Sequence, residues 1–342
     1  MDRDDIQGIV LHGYRSLPFA RYHVLSFGAG DPRSVLTRLV DATSSAAEPR
    51  ASAREQLAFT ASGLGALGLG ARELRQFSRE FRQGMAHPER SAALGDANDE
   101  APSAWEFGGP STPRVDALHM TFARTPALLD ERCAPRLALF ERFGLVVQAY
   151  DARVPAPRVP LAPGSRRNSQ VPLGEFVLGE KDVLGERQRG PFVPVKYSAR
   201  PMPDWARREK AFDFGQNGSY LALRKLDRDL PIQASERAVL EAEHARRARG
   251  PESSREHRLL RRSREHDAGL WFMAFNVDLR RQFEFVQQSC CNAGSPGGDR
   301  DPLVGREPGR SAGESRHFRV RGGAYFFLPS IRALNYLAEP GG

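Results

Sequence analysis

The chain has 342 residues, 40% of them apolar and 27% charged, which excludes a disordered chain or a coiled coil and leaves length for one large or two ordinary domains. Fifty Lys and Arg against 42 Asp and Glu give a formal net charge of +8. No run reaches the eighteen or more apolar residues of a membrane-spanning helix, so no membrane partner is expected.

Residues 21–27 (RYHVLSF) alternate and are rich in strand formers, so they read as a strand. Residues 32–41 follow at helical spacing, and 56–60 (QLAFT) form a short apolar run. A second helical stretch begins at Ser62 and ends in 73–85 (ELRQFSREFRQGM), with apolar residues three and four apart. Pro, Gly, Asp and Ser make 86–113 a long loop. Residues 115–123 read as a strand, 126–143 as a helix with Pro135 as its weak point, and 145–150 as a strand. Without the helical insert this order is β-α-β-β-α-β, the ferredoxin-like split unit. Residues 151–216 hold nine prolines and read as a connection, with one ordered-looking piece at 171–179. In the second half, 219–223 reads as a strand, 234–248 as a charged helix, 259–260 as a short strand-like piece and 270–276 as a buried strand. An amphipathic helix over 278–290, a loop over 292–315, a strand over 318–328 broken by a double glycine and a last helix over 331–337 complete the chain. The expected fold is α+β: tandem ferredoxin-like (β-α-β-β-α-β) units with antiparallel sheets and outer helices. The expected division is an N-terminal unit over 1–150, a connection over 151–216 and a C-terminal unit over 217–342.

Only four of the fifty basic residues are lysines, a skew that fits GC-rich coding. Nine arginines fall between residues 237 and 264, and charge alone allows nucleic-acid binding. The aromatics are not interleaved with the arginines as a base-stacking platform requires, so no nucleic-acid partner is expected. Three cysteines (Cys133, Cys290 and Cys291) with no CxxC make a poor disulfide framework. The acidic opening MDRDDIQGIV lacks the basic-then-apolar order of a secretory signal, and a reducing, cytoplasmic location is expected. Eight histidines are present, and spacing does not select one as a metal ligand.

Several segments, in order along the chain, resemble the dye-decolourising (DyP-type) haem peroxidases. They are DIQGIVLHGY (5–14), LAFTASGLGALGL (57–69), FSREFRQGM (77–85), VPLGEFVLG (171–179) and NGSYLALRKL (217–226). The C-terminal third is most similar: HRLLRR (257–262), GLWFMAFNVDLRRQFEFVQQ (269–288), DRDPLVG (299–305) and VRGGAYFFLPSIRALNYL (320–337). The resemblance implies tandem ferredoxin-like units, one haem b, reduction of hydrogen peroxide and one-electron oxidation of an organic donor. It leaves open whether the chain is a monomer or a homo-oligomer.

Within that family the proximal histidine opens a His-x-Arg-Arg-Ala motif, which His244 to Ala248 fit, so His244 is the expected iron ligand. Asp278 is implied as the carboxylate that accepts the other imidazole N–H, while Asp at such a position most often caps the following helix. Peroxide cleavage also needs a group that moves a proton and a fixed positive donor that meets the departing charge. Arg261 is the implied donor. Strand alternation sends Arg261 and Arg262 to opposite faces, so only one reaches the haem. The family's Gly-x-x-Asp-Gly motif is missing. In the register of Gly144 its Asp position is Val147 and its final Gly is Gln148, and Asp151 is the only nearby substitute. Only thirteen residues separate Leu230 from His244, where relatives carry a longer segment. These departures raise an alternative: a catalytically impaired homologue that binds haem or a partner. Trp205, Trp271 and Tyr325 are conceivable electron relays, though Trp271 and Tyr325 lie in apolar strands that read as core.

Overall fold

A computed structural model describes residues 2–48, 51–154, 171–194, 211–228, 257–292 and 318–339. The expected helix over 234–248, with His244, lies outside these residues, as does Trp205.

The first half supplies strands β1 (Phe19–Ser26), β2 (Ala53–Phe59), β3 (Ala117–Ala123) and β4 (Val146–Arg153). The second supplies β5 (Ser219–Arg228), β6 (Leu260–His266), β7 (Gly269–Asn276) and β8 (Phe318–Leu328). Each half pairs its strands antiparallel, with its fourth strand beside its first and its third between first and second. That is the order the split unit requires. The halves then join edge to edge, so the eight strands close as β1-β3-β2-β8-β5-β7-β6-β4.

Closure rests on thin seams. β2 meets β8 only at Phe59 and Phe327, and β4 meets β6 only at Arg153 and Glu265. The first seam is stitched by Gln7. Its amide nitrogen donates to the Leu57 carbonyl (2.7 Å) and the Pro329 carbonyl (2.9 Å), and its oxygen accepts from the Leu57 N–H (2.9 Å). Gln7 precedes a short helix, α1 (Gly8–His12), which the sequence reading did not anticipate.

Period-two alternation sorts the side chains. Tyr22, Val24, Leu118, Met120, Phe122, Leu221, Leu223, Trp271, Met273, Phe275 and Phe326 fill the interior of the barrel. Outside, Leu57, Phe59, Tyr220, Ala222, Ala274, Tyr325 and Phe327 belong to a second core, covered in part by helices. These include α2 (Pro32–Leu39), the insert helices α3 (Ala61–Ala66), α4 (Ala71–Leu74), α5 (Arg79–Gln83) and α6 (Pro88–Leu94), α7 (Pro126–Arg142) and α8 (Ile331–Ala338). α7 runs unbroken through Pro135; it starts with Thr125 accepting the Leu128 N–H and with Pro126 in its first turn, where proline is tolerated.

The double glycine in β8 does not break the strand. It creates a register shift between Val320 and Gly322, and the ring of Phe107 packs there. A Cβ at Gly322 would lie 2.4 Å from that ring, so no other residue fits without displacing it. Residues 171–179, expected to be ordered, form a helical turn around Leu173–Glu175. Cys133 is a free, buried thiol, and Cys291 is buried as well. Among the described residues no helix is long and apolar enough to cross a membrane.

Candidate active-site face

The paired arginines of β6 diverge as alternation requires. Arg262 and Arg264 turn into the barrel, where Arg262 donates to the Val10 carbonyl. Arg264 donates to the carbonyls of Tyr14, Leu17 and Pro18 and stacks 4.7 Å over the Phe122 ring. Burial lowers the pKa of both guanidiniums. Arg261 is exposed and lies on the outer face, in one row with Ala274, Ala222 and Tyr325 of β7, β5 and β8. Ser263, Phe272 and Arg224 make the next row.

A π-helical segment, Arg280–Glu284 and Val286–Asn292, covers part of this face. Phe283 sits between Phe272 (6.3 Å) and Tyr325 (6.0 Å), with the Arg224 guanidinium 5.6 Å above it. Beneath lies a buried polar network. Tyr325 donates to Glu284 (2.8 Å), Arg90 of α6 pairs with Glu284 (2.7 Å), and Arg224 pairs with Asp96 (2.5 Å). Burial pushes the Glu284 carboxyl up, and burial with the Glu284 charge pushes the Tyr325 phenol well up, so Tyr325 stays a proton donor.

The start of that segment is a reciprocal cap. Asp278 accepts the Arg281 N–H (2.9 Å), and the Gln282 side-chain oxygen accepts the N–H groups of Val277 (3.0 Å) and Asp278 (2.9 Å). Asp278 therefore performs the capping role with one oxygen. Gln282 also donates to the backbone carbonyls of Glu175 (2.7 Å) and Arg258, tying the 171–179 turn and the lead-in to β6 to the segment. Glu175 is fully buried and raised by burial; it accepts from Val183 N–H and from Arg281 and Gln282. His257 stacks on Phe285 at 3.7 Å, and its Nδ1 lies 2.5 Å from the Arg281 carbonyl oxygen. Sequence reasoning quoted His257 only as the first letter of a motif; neither its carbonyl anchor nor the burial of Glu175 leaves a mark in the sequence pattern.

Asp151 is not brought to this face. β4 runs to Arg153, three residues past the expected end at Tyr150, and Asp151 there is clamped by Arg21 through two bonds (2.6 and 2.9 Å). Arg21 also reaches Asp130 of α7 (3.0 Å). Arg153 pairs with Glu265, so in antiparallel register Asp151 falls level with Asp267. That is six residues along β6 from Arg261, roughly 20 Å at strand rise. Asp151, the only nearby acid in the sequence, is thus held by Arg21 against the outer helix layer of the first half. Trp271 and Tyr325 are fully buried, in agreement with their reading as core.

The chain has the fold of the dye-decolourising peroxidases. A peroxidase of Auricularia auricula-judae, in a Trp-to-Ser variant, superposes with a TM-score of 0.69 at 16% identity, covering 98% of this chain and 99% of that one. A dye-decolourising peroxidase variant in complex with cyanide gives a TM-score of 0.69 at 18% identity, covering 99% of each. Another, with an engineered heme pocket, gives 0.69 at 15%, covering 99% of this chain and all of the other. In sequence the chain is similar to the multifunctional dye peroxidase DyP2 of Amycolatopsis sp. (strain ATCC 39116 / 75iv2), 34% identical over 26% of this chain. That match spans 28% of the relative's length. No family model matches the chain.

Proposed function

We propose that this protein is a haem-dependent peroxidase that reduces hydrogen peroxide and oxidises an organic donor in one-electron steps. The observation that carries this reading is the outward turn of Arg261, on the β6–β7 side of the second-half sheet, within a fold shared over its whole length with dye-decolourising peroxidases. The described wall suits a flat, largely apolar macrocycle: Phe272 offers a ring, Ala274 and Ser263 leave room, and Arg261 supplies positive charge.

His244 is the residue we assign as iron ligand, and Asp278 as a haem-side carboxylate whose second oxygen is left to act beyond the cap. Bound haem would supply the redox chemistry, with iron to bind peroxide and electrons to break its O–O bond. The protein's part on this face is electrostatic. The Arg261 guanidinium is permanently charged and meets the negative charge that develops on the departing oxygen. We read the cap at Asp278 and the buried Glu284–Tyr325–Arg90 network as what holds the segment behind that face rigid.

The test is direct. Protein produced with haem should show a strong haem absorbance band that changes on adding peroxide, with oxidation of a dye. His244→Ala should abolish haem uptake. A colourless, folded parent protein refutes the reading, and a variant that takes up haem as readily as the parent refutes the ligand assignment. A parent that binds haem without responding to peroxide would instead be the impaired homologue that the missing Gly-x-x-Asp-Gly motif suggests.

A further inference from the structure

Buried cations elsewhere in this protein have carboxylate partners. Arg90 meets Glu284 at 2.7 Å, Arg224 meets Asp96 at 2.5 Å, and Lys225 meets Glu106 and Asp227 at 3.0 Å each. The inward pair of β6 is different. Among the described residues no carboxylate forms an ion pair with Arg262 or Arg264, and none contributes to the charge felt by either guanidinium. Arginine cannot relieve its burial by giving up a proton, so both stay cationic inside the barrel.

The two side chains leave the same face of β6, roughly 7 Å apart along the strand. α1 and residues 13–18 lie against them. Gly13, at φ +63°, packs so closely on the Arg262 guanidinium that a Cβ there would lie 2.7 Å from Nε. That Nε is buried without a hydrogen-bond partner, and the one donor of Arg262 that is engaged reaches the Val10 carbonyl at 3.3 Å. Arg264 uses three of its five N–H donors on the Tyr14, Leu17 and Pro18 carbonyls. Tyr22 is fully buried, its hydroxyl has no partner, and it lies near enough to Arg264 for each to bias the other's titration. Burial pushes this phenol up to about 12 against the Arg264 charge, so it remains a donor. Arg15, exposed on the covering stretch, adds positive charge beside Arg262, and Arg262 is itself only partly buried, which gives an ion a way in from solvent.

We propose that this end of the barrel binds a small oxyanion, a carboxylate or a phosphate, at Arg262 and Arg264. The planar guanidinium forks match the paired oxygens of such an ion, and the Tyr22 hydroxyl beside Arg264 offers a further donor. The carbonyl ties of Arg264 hold its fork in place, and the ion supplies the negative charge that the neighbouring side chains do not. The site lies inside the barrel, on the opposite side of β6 from Arg261, and is independent of the haem reading.

The test titrates the full-length protein with phosphate, acetate and chloride at fixed pH and ionic strength, read by calorimetry and by the thermal midpoint. Phosphate or acetate should bind as one ion per chain with a Kd of about 10 mM or tighter, and the midpoint should rise as the ion is added. The tighter of the two identifies the class of ligand. Arg262→Gln keeps an amide donor but no charge, and should weaken binding at least about tenfold. Arg132→Gln, at an exposed arginine of α7, should leave it unchanged. A parent without saturable binding overturns the proposal, as does chloride binding as tightly as both oxyanions. Equal weakening in the two variants would report net charge alone and also overturn it, and so would binding that shifts the absorbance of bound haem, which places the ion at the iron. If Arg262→Gln does not fold, nitrogen NMR of the parent decides: the guanidinium N–H signals of Arg262 and Arg264 must move as the ion saturates, and signals that stay fixed overturn the proposal.

Discussion

Three arginines within four positions of β6 have different physical fates, and their substitution should separate function from stability. Arg261 is exposed, so its loss should move stability less than the loss of the buried Arg264 does. On the role proposed for it, its loss should instead slow the peroxide step by about 10²–10³-fold, with haem uptake intact. Arg264→Met is the converse. The Tyr14, Leu17 and Pro18 carbonyls lose their donors inside the barrel, which should cost roughly 2–4 kcal/mol in urea unfolding. An Arg261→Leu variant with parental peroxide kinetics, or an Arg264→Met variant with parental stability, would contradict this division. Alternation alone foretold which arginine turns outward. It could not foretell that the inward pair would find carbonyl partners from residues 10–18, because that contact joins positions some 250 apart.

At the scale of elements, strands and helices with clean hydrophobic periods were legible, as in 115–123 or 270–276, whereas α6 (Pro88–Leu94) lies within 86–113, which read as a loop. Misjudged features depended on tertiary context. The double glycine of β8 read as a break, yet it accommodates Phe107 from the first half. β4 read as ending at Tyr150, yet pairing with β1 carries it to Arg153 and sets Asp151 opposite Arg21, which holds it. α1 is only five residues long, too short to show a period, and Gln7 before it looks like any polar residue. Gln7 nonetheless bridges the seam where β2 and β8 share a single residue pair. Gln7→Ala would leave the Leu57 N–H and the Leu57 and Pro329 carbonyls without these buried partners. A loss of roughly 2–4 kcal/mol is expected from the denaturant midpoint at unchanged slope. A variant as stable as the parent would mean that strand pairing closes the seam unaided.

For the molecule as a whole, two half-barrels share one interior, and the outer layer of the first half is fastened by a buried charge cluster beneath α7. His119 Nε2 donates to Glu55 (3.0 Å), Arg136 of α7 grips the same carboxylate (2.8 and 3.1 Å), and His23 Nδ1 meets His119 Nδ1 at 3.1 Å. Phe140 closes both imidazoles off, 5.6 Å from each ring. Burial, with His119 and Arg21 nearby, lowers His23 from 6.5 to about 3. Burial works to raise Glu55, but the hydrogen bonds and charges of His119 and Arg136 overcome it and hold the carboxyl at about 2. Both shifts act in one direction. Below pH 6.5 the unfolded chain protonates His23 and the folded one does not until about pH 3. Below pH 4.5 the same holds for Glu55 until about pH 2. The unfolded state therefore binds more protons throughout this range, and stability must fall with pH. Stability is expected to decline from about pH 6.5 downward and more steeply below about 4.5, as the second group joins. Urea unfolding of haem-free protein across this range measures it. His23→Asn keeps a donor toward His119 but does not titrate, so it should flatten the upper part of the profile and leave the lower part. A profile unchanged by that substitution would assign the acid lability to other groups and return the imidazole pair to ordinary packing.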